Sequence, residues 1–598
     1  MGRSRSSLWL YGAIGLLGIF IVASVVGRIV GGISRDDPDP DGSTVPATPQ
    51  APANSIPISI ASSNTKQTWL HQAVDAFNAA APSDSKLQVD GKPVFVQILQ
   101  EDIDGNPVDY RSGTMVSDTL AGRIQPTILS PGEESWIAKF EREWDAQEGG
   151  DPIRGTTPIL VRTPLVVAMW QSRARALGCW PTAEPGCTWA ELRTLANDPQ
   201  GWASKGHPQW RKFKFGYGYF GESNSGTLAV LSMCMAGLGK TTGLAIGDVG
   251  SSSPCGVFVS DVEKAKVHSG KSDVWLIDKM VTGGPEYLDA VVTYESNVIA
   301  TNKASGANLR EPLVSVYPQD GTIVVGHPFA ILDGTPWVTP EQVTAAGLFR
   351  DYLLTVKEQE AVLALGLRPA DPNVPLGTPI DAALGANPTA NLVALGVPDT
   401  LVIDRVGEVW HEVRKHAIIA VVFDKSGSME GSKITAAVKG AEEFVNRMDR
   451  ADTLLWVPFD EQIYPGARGT KADVGEQLVE EIRSTTADGG TALYDAVTYA
   501  YTELTAIRNV EGDAHRYGIV VLSDGQDRNS TNTLSLLESA LQPSEGDPTG
   551  IQIHTISIGE DADDSVLKKV ASAAHGRFWK PKSESEIVVV YRDIAAHY

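Results

Sequence analysis

From Ile56 onward, short apolar runs alternate with stretches whose apolar residues recur every three or four positions. The runs IPISIA, VFVQIL, PTILSP and TPLVVAMW predict strands, and KQTWLHQAVDAFNAAAP predicts an amphipathic helix after the first of them. Alternation of this kind predicts an α/β unit built on a mostly parallel sheet. A second α/β unit starts near Lys415. Its predicted strands are AIIAVVFD, TLLWVPFD, YGIVVLSD and IQIHTISIG. Its predicted helices are KITAAVKGAEEFVNRM, ALYDAVTYAYTELTAI and DSVLKKVASAAHG. The runs AIIAVVF and GIVVL are apolar without alternation, the pattern of strands covered on both faces. The helix-like stretch VIDRVGEVWHEVRK leads almost directly into the strand at Ala417, with no Pro-rich linker. The two units are therefore expected in restricted orientation.

The N-terminus follows a different pattern. Leu8 to Gly27 is uncharged and mostly apolar, about long enough to span a bilayer as a helix. Arg3 and Arg5 precede it, and the acidic run Asp36, Asp37, Asp39, Asp41 follows. Positive flanks stay on the cytoplasmic side, although Arg28 and Arg35 weaken the asymmetry. The expectation is a cytoplasmic tail at 1–7, an uncleaved anchor at 8–30 and a mobile Pro/Asp-rich stalk at 31–55. The bulk of the chain then lies outside the cell membrane. A cleaved signal peptide is the rival reading. The chain has 598 residues, enough for several domains, and a formal net charge of −23. That charge argues against nucleic acid as a partner and suits divalent cations.

The four cysteines, Cys179, Cys187, Cys234 and Cys255, all lie in one middle region. Local spacing favours Cys179–Cys187 and Cys234–Cys255 over the other pairings. Buried free thiols are the alternative, and export favours disulfides. There is no CxxC pair and no histidine cluster to make a zinc site.

Three distant stretches share one chemistry. Asp424, Ser426 and Ser428 lie in VVFDKSGSM, Thr491 in DGGTALYDAV and Asp524 in IVVLSDGQD. Two carboxylates and three hydroxyls are hard oxygen donors, suited to Mg²⁺ (or Mn²⁺), which takes six oxygens and keeps some water. Both aspartates end predicted parallel strands, where ligands collect in open α/β sheets. Asp527 reads as a solvated loop residue and His554 as a packing residue inside a strand. CMAGLGKTTG echoes a P-loop, but Cys234 stands where the pattern needs glycine, and the stretch follows a helix rather than a strand.

The DxSxS run, the GGTALYDA threonine and the SDG aspartate resemble the metal-ion-dependent adhesion site of a von Willebrand factor A domain. The resemblance covers about 415–598. It implies that Ser426, Ser428 and Thr491 are metal ligands, that Asp424 and Asp524 anchor charge and water, and that an acidic residue of a protein partner fills the remaining position. Residues 56–414 resemble the two-lobed extracellular solute-binding proteins of ABC importers. The matching runs include TWAELRTLANDPQGWASKGHPQW, FKFGYGYFGESNSGTLAVL and YPQDGTIVVGHPFAIL. The resemblance implies lobe one at about 56–163 and 315–400, lobe two at about 164–314, and a solute in the cleft. The whole is thus expected to be α/β: a periplasmic-binding-protein-like domain followed by a doubly wound, Rossmann-like A domain.

Small polar residues at predicted strand-to-helix turns are the candidate cleft residues: Ser62, Ser63, Asn64, Ser130, Ser223 and Ser225, with Tyr294 and Glu295 at the return crossing. Ordinary helix capping explains the same residues equally well. The leading functional expectation is a membrane-anchored adhesion or interaction protein, and the alternative is a substrate-binding or sensing receptor of an ABC-type transporter. No Ser–His–Asp order, paired acid and base or nucleotide loop points to an enzyme, so none is expected.

Overall fold

The computed structural model describes residues 51–595, apart from 104, 106–107, 109, 182–185, 271, 542–549, 560–561 and 575. The expected tail, the anchor at 8–30 and most of the stalk lie outside the described residues. Among the described residues no helix is long and apolar enough to cross a membrane.

Lobe one is built on a sheet whose first strand is β1 (Ile56–Ser62). β1 pairs in parallel with β3 (Lys92–Ile98) and β4 (Ile128–Ser130). Short antiparallel strands, β2 (Gln88–Val89) and β11 (Ala330–Ile331), close its edges. The helix Gln67–Ala80 buries Trp69, Leu70, Ala73, Val74 and Phe77, an i, i+4, i+7 face, against Ile58 and Ile60.

Lobe two holds a seven-stranded sheet. Its long strand β5 (Ile159–Trp170) is the outward crossing, since Leu160 and Val161 pack in lobe one while Leu165, Val167 and Met169 pack in lobe two. β6 (Phe215–Gly218), β7 (Lys266–Gly270) and β8 (Ala290–Tyr294) continue the sheet. β9 (Leu313–Val316), β10 (Val324–Pro328) and β12 (Arg368–Pro369) lie antiparallel to β5. The chain returns between Val325, in the lobe-two core, and Phe329, in the lobe-one core. The sequence-based boundaries put 315–400 in lobe one. Only the middle of that segment packs there: Val316 and Ile323 join lobe two, as do Leu392, Leu395 and Val397. Disulfides join Cys179 to Cys187 and Cys234 to Cys255.

The C-terminal domain has six strands in the order β15 (Arg468–Thr470), β14 (Thr453–Phe459), β13 (Ala417–Asp424), β16 (Arg516–Ser523), β17 (Gln552–Ser557) and β18 (Phe578–Trp579). All but β15 are parallel. Along β13, Ile419, Val421 and Phe423 face one helical layer, and Ile418, Ala420 and Val422 the other. This two-sided burial is why the run is apolar at every position. In the first layer the helices Ser432–Arg447 and Glu584–Ala595 meet where Tyr591 lies against Gly440; a Cβ there would sit 2.5 Å from the ring.

The two units meet through a buried charge cluster. The helix Thr400–Val413 buries Val402, Val406, Val409 and Trp410 in lobe two, and its Asp404 pairs with Lys139 (3.1 Å) and Arg142 (2.6 Å) of lobe one. Glu263, wholly buried, accepts from the Trp410 indole (2.9 Å), the Tyr217 hydroxyl and Lys266 (3.2 Å). Burial pushes the Glu263 carboxyl up, but the charges of Lys266 and Arg516 outweigh it and hold it at about 2. Arg414 binds Asp449 (2.6 Å) and Asp452 (2.8 Å) of the C-terminal domain, and Arg516 donates to the Lys415 carbonyl. The docked edge is therefore where β13 and β16 begin. Asp424 lies seven residues further along β13, roughly 23 Å away at about 3.3 Å per residue, at the opposite edge.

Candidate functional sites

The opposite edge carries the predicted cation site. β13 ends at Asp424, and the chain turns through Ser426 into the short 3₁₀ turn Gly427–Met429. The Ser426 N–H donates to Asp424 Oδ1 (2.9 Å), and the Ser426 and Ser428 hydroxyls lie 3.0 Å apart. Ser523, the last residue of β16, donates its hydroxyl to Asp424 Oδ2 (2.5 Å) and so bridges the two strand ends. Gly489, with φ 82°, adopts a left-handed turn that any side chain would strain, and its carbonyl accepts from Gly427 N–H (3.0 Å). The Thr491 carbonyl in turn accepts from Arg528 and Asn529 (both 2.9 Å), just beyond Asp524. All three motif loops are thus tied together at one rim.

The donors at this rim fit a hard divalent cation. Asp424 and Asp524 are wholly buried, Ser426 and Thr491 nearly so, and Ser428 is exposed. Asp524 Oδ2 is buried without a hydrogen-bond partner, a costly state for a carboxylate oxygen unless a cation meets it. Burial pushes the Asp424 carboxyl up to about 6 against its bonds from Ser426 and Ser523, and the Asp524 charge adds to the rise. Lys425 does not neutralise these acids, because its ammonium is paired with Asp460. Among the described residues no group of three or more His, Cys, Asp or Glu is placed to hold a metal, so hydroxyls must complete any coordination here. Asp527 accepts from Ser530 and from Tyr494 N–H, which makes it a loop brace. His554 is buried inside β17.

Residues 419–592 match the family model of the von Willebrand factor type A domain. Among curated proteins, the uncharacterized protein sll0103 of Synechocystis is 23% identical to this chain over 185 residues. The match covers 31% of this chain and 42% of that relative, so the chain spans less than half of that protein's length. Among solved structures, the von Willebrand factor type A protein from Catenulispora acidiphila is 18% identical, covering 31% of this chain and 42% of that one at a TM-score of 0.27. The N-terminal part has periplasmic-binding-protein neighbours. The sulfate-binding protein SubI of Mycobacterium tuberculosis is 18% identical, over 53% of this chain and 88% of that one, at a TM-score of 0.35. A periplasmic thiamin binding protein is 10% identical, over 61% and 98%, at 0.39.

A second site lies between the lobes. Ser63, Asn64, Thr65, Arg111, Ser112 and Gly132 of lobe one face Ser223, Asn224, Ser225, Ser272, Asp273 and Tyr294 of lobe two across a polar cavity. The lobes are latched around it. Arg111 pairs with Glu222, the Trp136 indole donates to Asn224 Oδ1 (2.7 Å), and Asn224 donates to the Tyr294 hydroxyl (2.7 Å). Ser223 also caps the helix Asn224–Leu238, so the capping role and a place on the wall coexist.

Of the predicted cleft residues, Ser63, Asn64, Ser223, Ser225 and Tyr294 line this cavity; Ser62, Ser130 and Glu295 do not. The Ser130 hydroxyl is spent on the Pro328 carbonyl (2.5 Å), and the Ser62 hydroxyl reaches only the Ser63 carbonyl (3.4 Å). Glu295 is buried in a two-point pair with Arg368 (2.8 and 2.9 Å). Sequence reasoning missed Arg111, Ser112, Ser272 and Asp273. Ser272 and Asp273 open the helix Asp273–Gly283, and their capping pattern was the available signal.

Proposed function

We propose that this protein is an interaction protein whose A domain binds an acidic group on a partner protein through Mg²⁺ (or Mn²⁺). Asp424, Ser426, Ser428, Thr491 and Asp524 would hold the cation, which supplies a Lewis-acidic position for a partner's carboxylate. The observation that carries this reading is the unpartnered, buried Asp524 Oδ2 beside the hydroxyl pair of Ser426 and Ser428. The Asp–Ser–Ser loop and the tied loops around it keep these donors in place without the cation, so little reorganisation opposes binding. The docking of the domain by its far edge supports the same reading, because it leaves the rim clear of the lobes. We place the chain at the cell membrane as a single-pass protein, with residues 8–30 as anchor and the domains outside. A domains and solute-binding folds are typically binding rather than catalytic modules, in keeping with a non-enzymatic role.

The test is capture of membrane-surface proteins on the immobilised full chain in Mg²⁺ and in EDTA, with Asp424→Ala as control. Capture that disappears in EDTA and in the variant supports the mechanism. Capture unchanged by both removes it.

A second reading is favoured by the enclosed cavity between the lobes: a solute-binding or sensing receptor associated with an ABC-type transporter. In that reading solute holds the lobes together, and the A domain, fixed to lobe two, moves with it.

A further inference from the structure

Behind the cavity wall stands a lysine with no counter-charge. Lys66 is wholly buried at the start of the helix Gln67–Ala80. Its ammonium nitrogen reaches Ser63 Oγ (2.9 Å), the Ser130 carbonyl (2.8 Å) and His327 Nδ1 (3.4 Å). No carboxylate lies within ion-pair distance of it among the described residues. At the domain junction the buried cations Lys266 and Arg414 are compensated, by Glu263 and Asp452. His327, itself buried with Nε2 unpartnered, cannot serve as counter-ion, because an imidazole is neutral or cationic. An isolated buried ammonium is strongly disfavoured unless something of opposite charge arrives. The way to it is Ser63, whose hydroxyl both contacts Lys66 and His327 and lines the cavity.

We propose that the inter-lobe cavity binds a compact oxyanion whose charge is matched by Lys66 acting through Ser63. The inference rests on the second reading, that the cleft is a solute site. Around the cavity the other cation is already engaged: Arg111 pairs with Glu222. Asp273 has neutral partners, the Thr293 hydroxyl (2.8 Å) and the Asn297 amide (2.8 Å), and burial raises its carboxyl pKa, toward the uncharged form. Lys66 is therefore the buried cation left for an anion. The cavity has a volume of ≈ 10 Å³, room for about one water, so an anion enters as the lobes part and only a small one suits the site. Ser63, Asn64, Ser112, Ser223 and Ser225 supply short polar side chains around it. Burial lowers the Lys66 pKa well below the ordinary lysine value, and the His327 imidazole is lowered too. An arriving anion reverses that cost, so Lys66 takes up a proton as the ligand binds.

The experiment is titration calorimetry on the full chain without divalent cations. The probes are sodium phosphate, sodium sulfate and sodium acetate, with glucose as the neutral probe and arginine as the cationic one, each in two buffers of different ionisation enthalpy. At least one anion is expected to bind, with a heat that changes with buffer in the sense of proton uptake. Lys66→Met is expected to weaken it at least tenfold and to abolish the buffer dependence, and Ser63→Ala to weaken it less. Phosphate or sulfate binding without acetate assigns an inorganic oxyanion, and the reverse assigns a carboxylate. Equal anion affinity in wild type and Lys66→Met, with no proton uptake, overturns the proposal. Binding of only glucose or arginine overturns the anion class and leaves the cleft reading standing. Binding of none of them overturns both. Should Lys66→Met fail to fold, proton uptake by the wild-type chain decides.

Discussion

The two sites of this molecule are made of the same side chains and differ in what lies behind them. At the A-domain rim, Ser426, Ser428 and Thr491 stand in front of two buried carboxylates, Asp424 and Asp524. In the inter-lobe cavity, Ser63 stands in front of one buried amine, Lys66, and Ser112, Ser223 and Ser225 complete the wall. Hydroxyls both donate and accept, so they do not choose the sign of a ligand. The buried charge does. In both places burial works against that charge: it pushes Asp424 up to about 6 and Lys66 down from the usual lysine range. Each site is a charge held in poor solvation, which a ligand of opposite sign relieves. The domain junction is the control. There Glu263, Lys266, Arg414 and Asp452 are just as buried but satisfy one another, so no ligand is called for.

The comparison breaks first at the junction. Removing one member of a mutually paired cluster strands the other, at about 3–5 kcal/mol. Glu263→Gln should lower the folding free energy by about that much, measured by reversible denaturant unfolding of the full chain. Lys66→Met removes an amine that has no carboxylate partner. It should change ligand-free stability by no more than about 1 kcal/mol, for the hydrogen bond to the Ser130 carbonyl. A loss at Lys66 as large as that at Glu263 would mean that Lys66 is a structural ion pair in disguise.

Next in size is the rim. Outer-shell changes at metal sites cost about 10–100-fold in affinity, so loss of the Asp424 carboxylate in Asp424→Asn should cost at least about 100-fold in Mg²⁺ affinity by calorimetry. Anion binding in the cleft should be unaffected. Acid should weaken the same site more gently. With Asp424 titrating at about 6, the unprotonated form that binds metal is fully present above that pH. Mg²⁺ affinity should be flat from pH 7 to 8 and fall about tenfold per unit below 6, as a proton competes for one carboxylate. An affinity unchanged down to pH 4.5 would show that Asp424 takes no part. The smallest effect is expected at Ser428→Ala. The side chain is exposed and water can take its place, so a loss of only about tenfold or less is expected.

How far each region could be read from sequence follows the same contrast. The A-domain donors could be picked out because they lie at two strand ends and in one loop ahead of a helix. A β-strand ending in Asp and leaving through Ser-x-Ser has few alternative uses, and the order of the strands brings the ends together. The cavity was legible only in part. Ser63, Asn64, Ser223, Ser225 and Tyr294 sit at turns that announce themselves, but Arg111, Ser112 and Asp273 come from separate segments whose convergence depends on lobe packing. Lys66 was hidden in plain view. One position ahead of an amphipathic helix, it reads as solvated, and only the tertiary fold shows it covered by β4 and β10. The lobe boundary in the 380–397 region shifted for a related reason. The segment has little regular structure, and its place is set by where Leu392 and Leu395 find apolar partners. The junction was invisible in advance, because Glu263 and Arg516 are separated by the remainder of both lobes, the linker helix and about half of the A domain.

The measurement that bears most directly on the account is an anomalous difference map from crystals of the protein grown with Mn²⁺. One peak is predicted, bounded by Asp424, Ser426, Ser428, Thr491 and Asp524, with Asp524 Oδ2 turned toward it. A map with no peak among those side chains at saturating Mn²⁺ would contradict the account, whatever else the crystal bound.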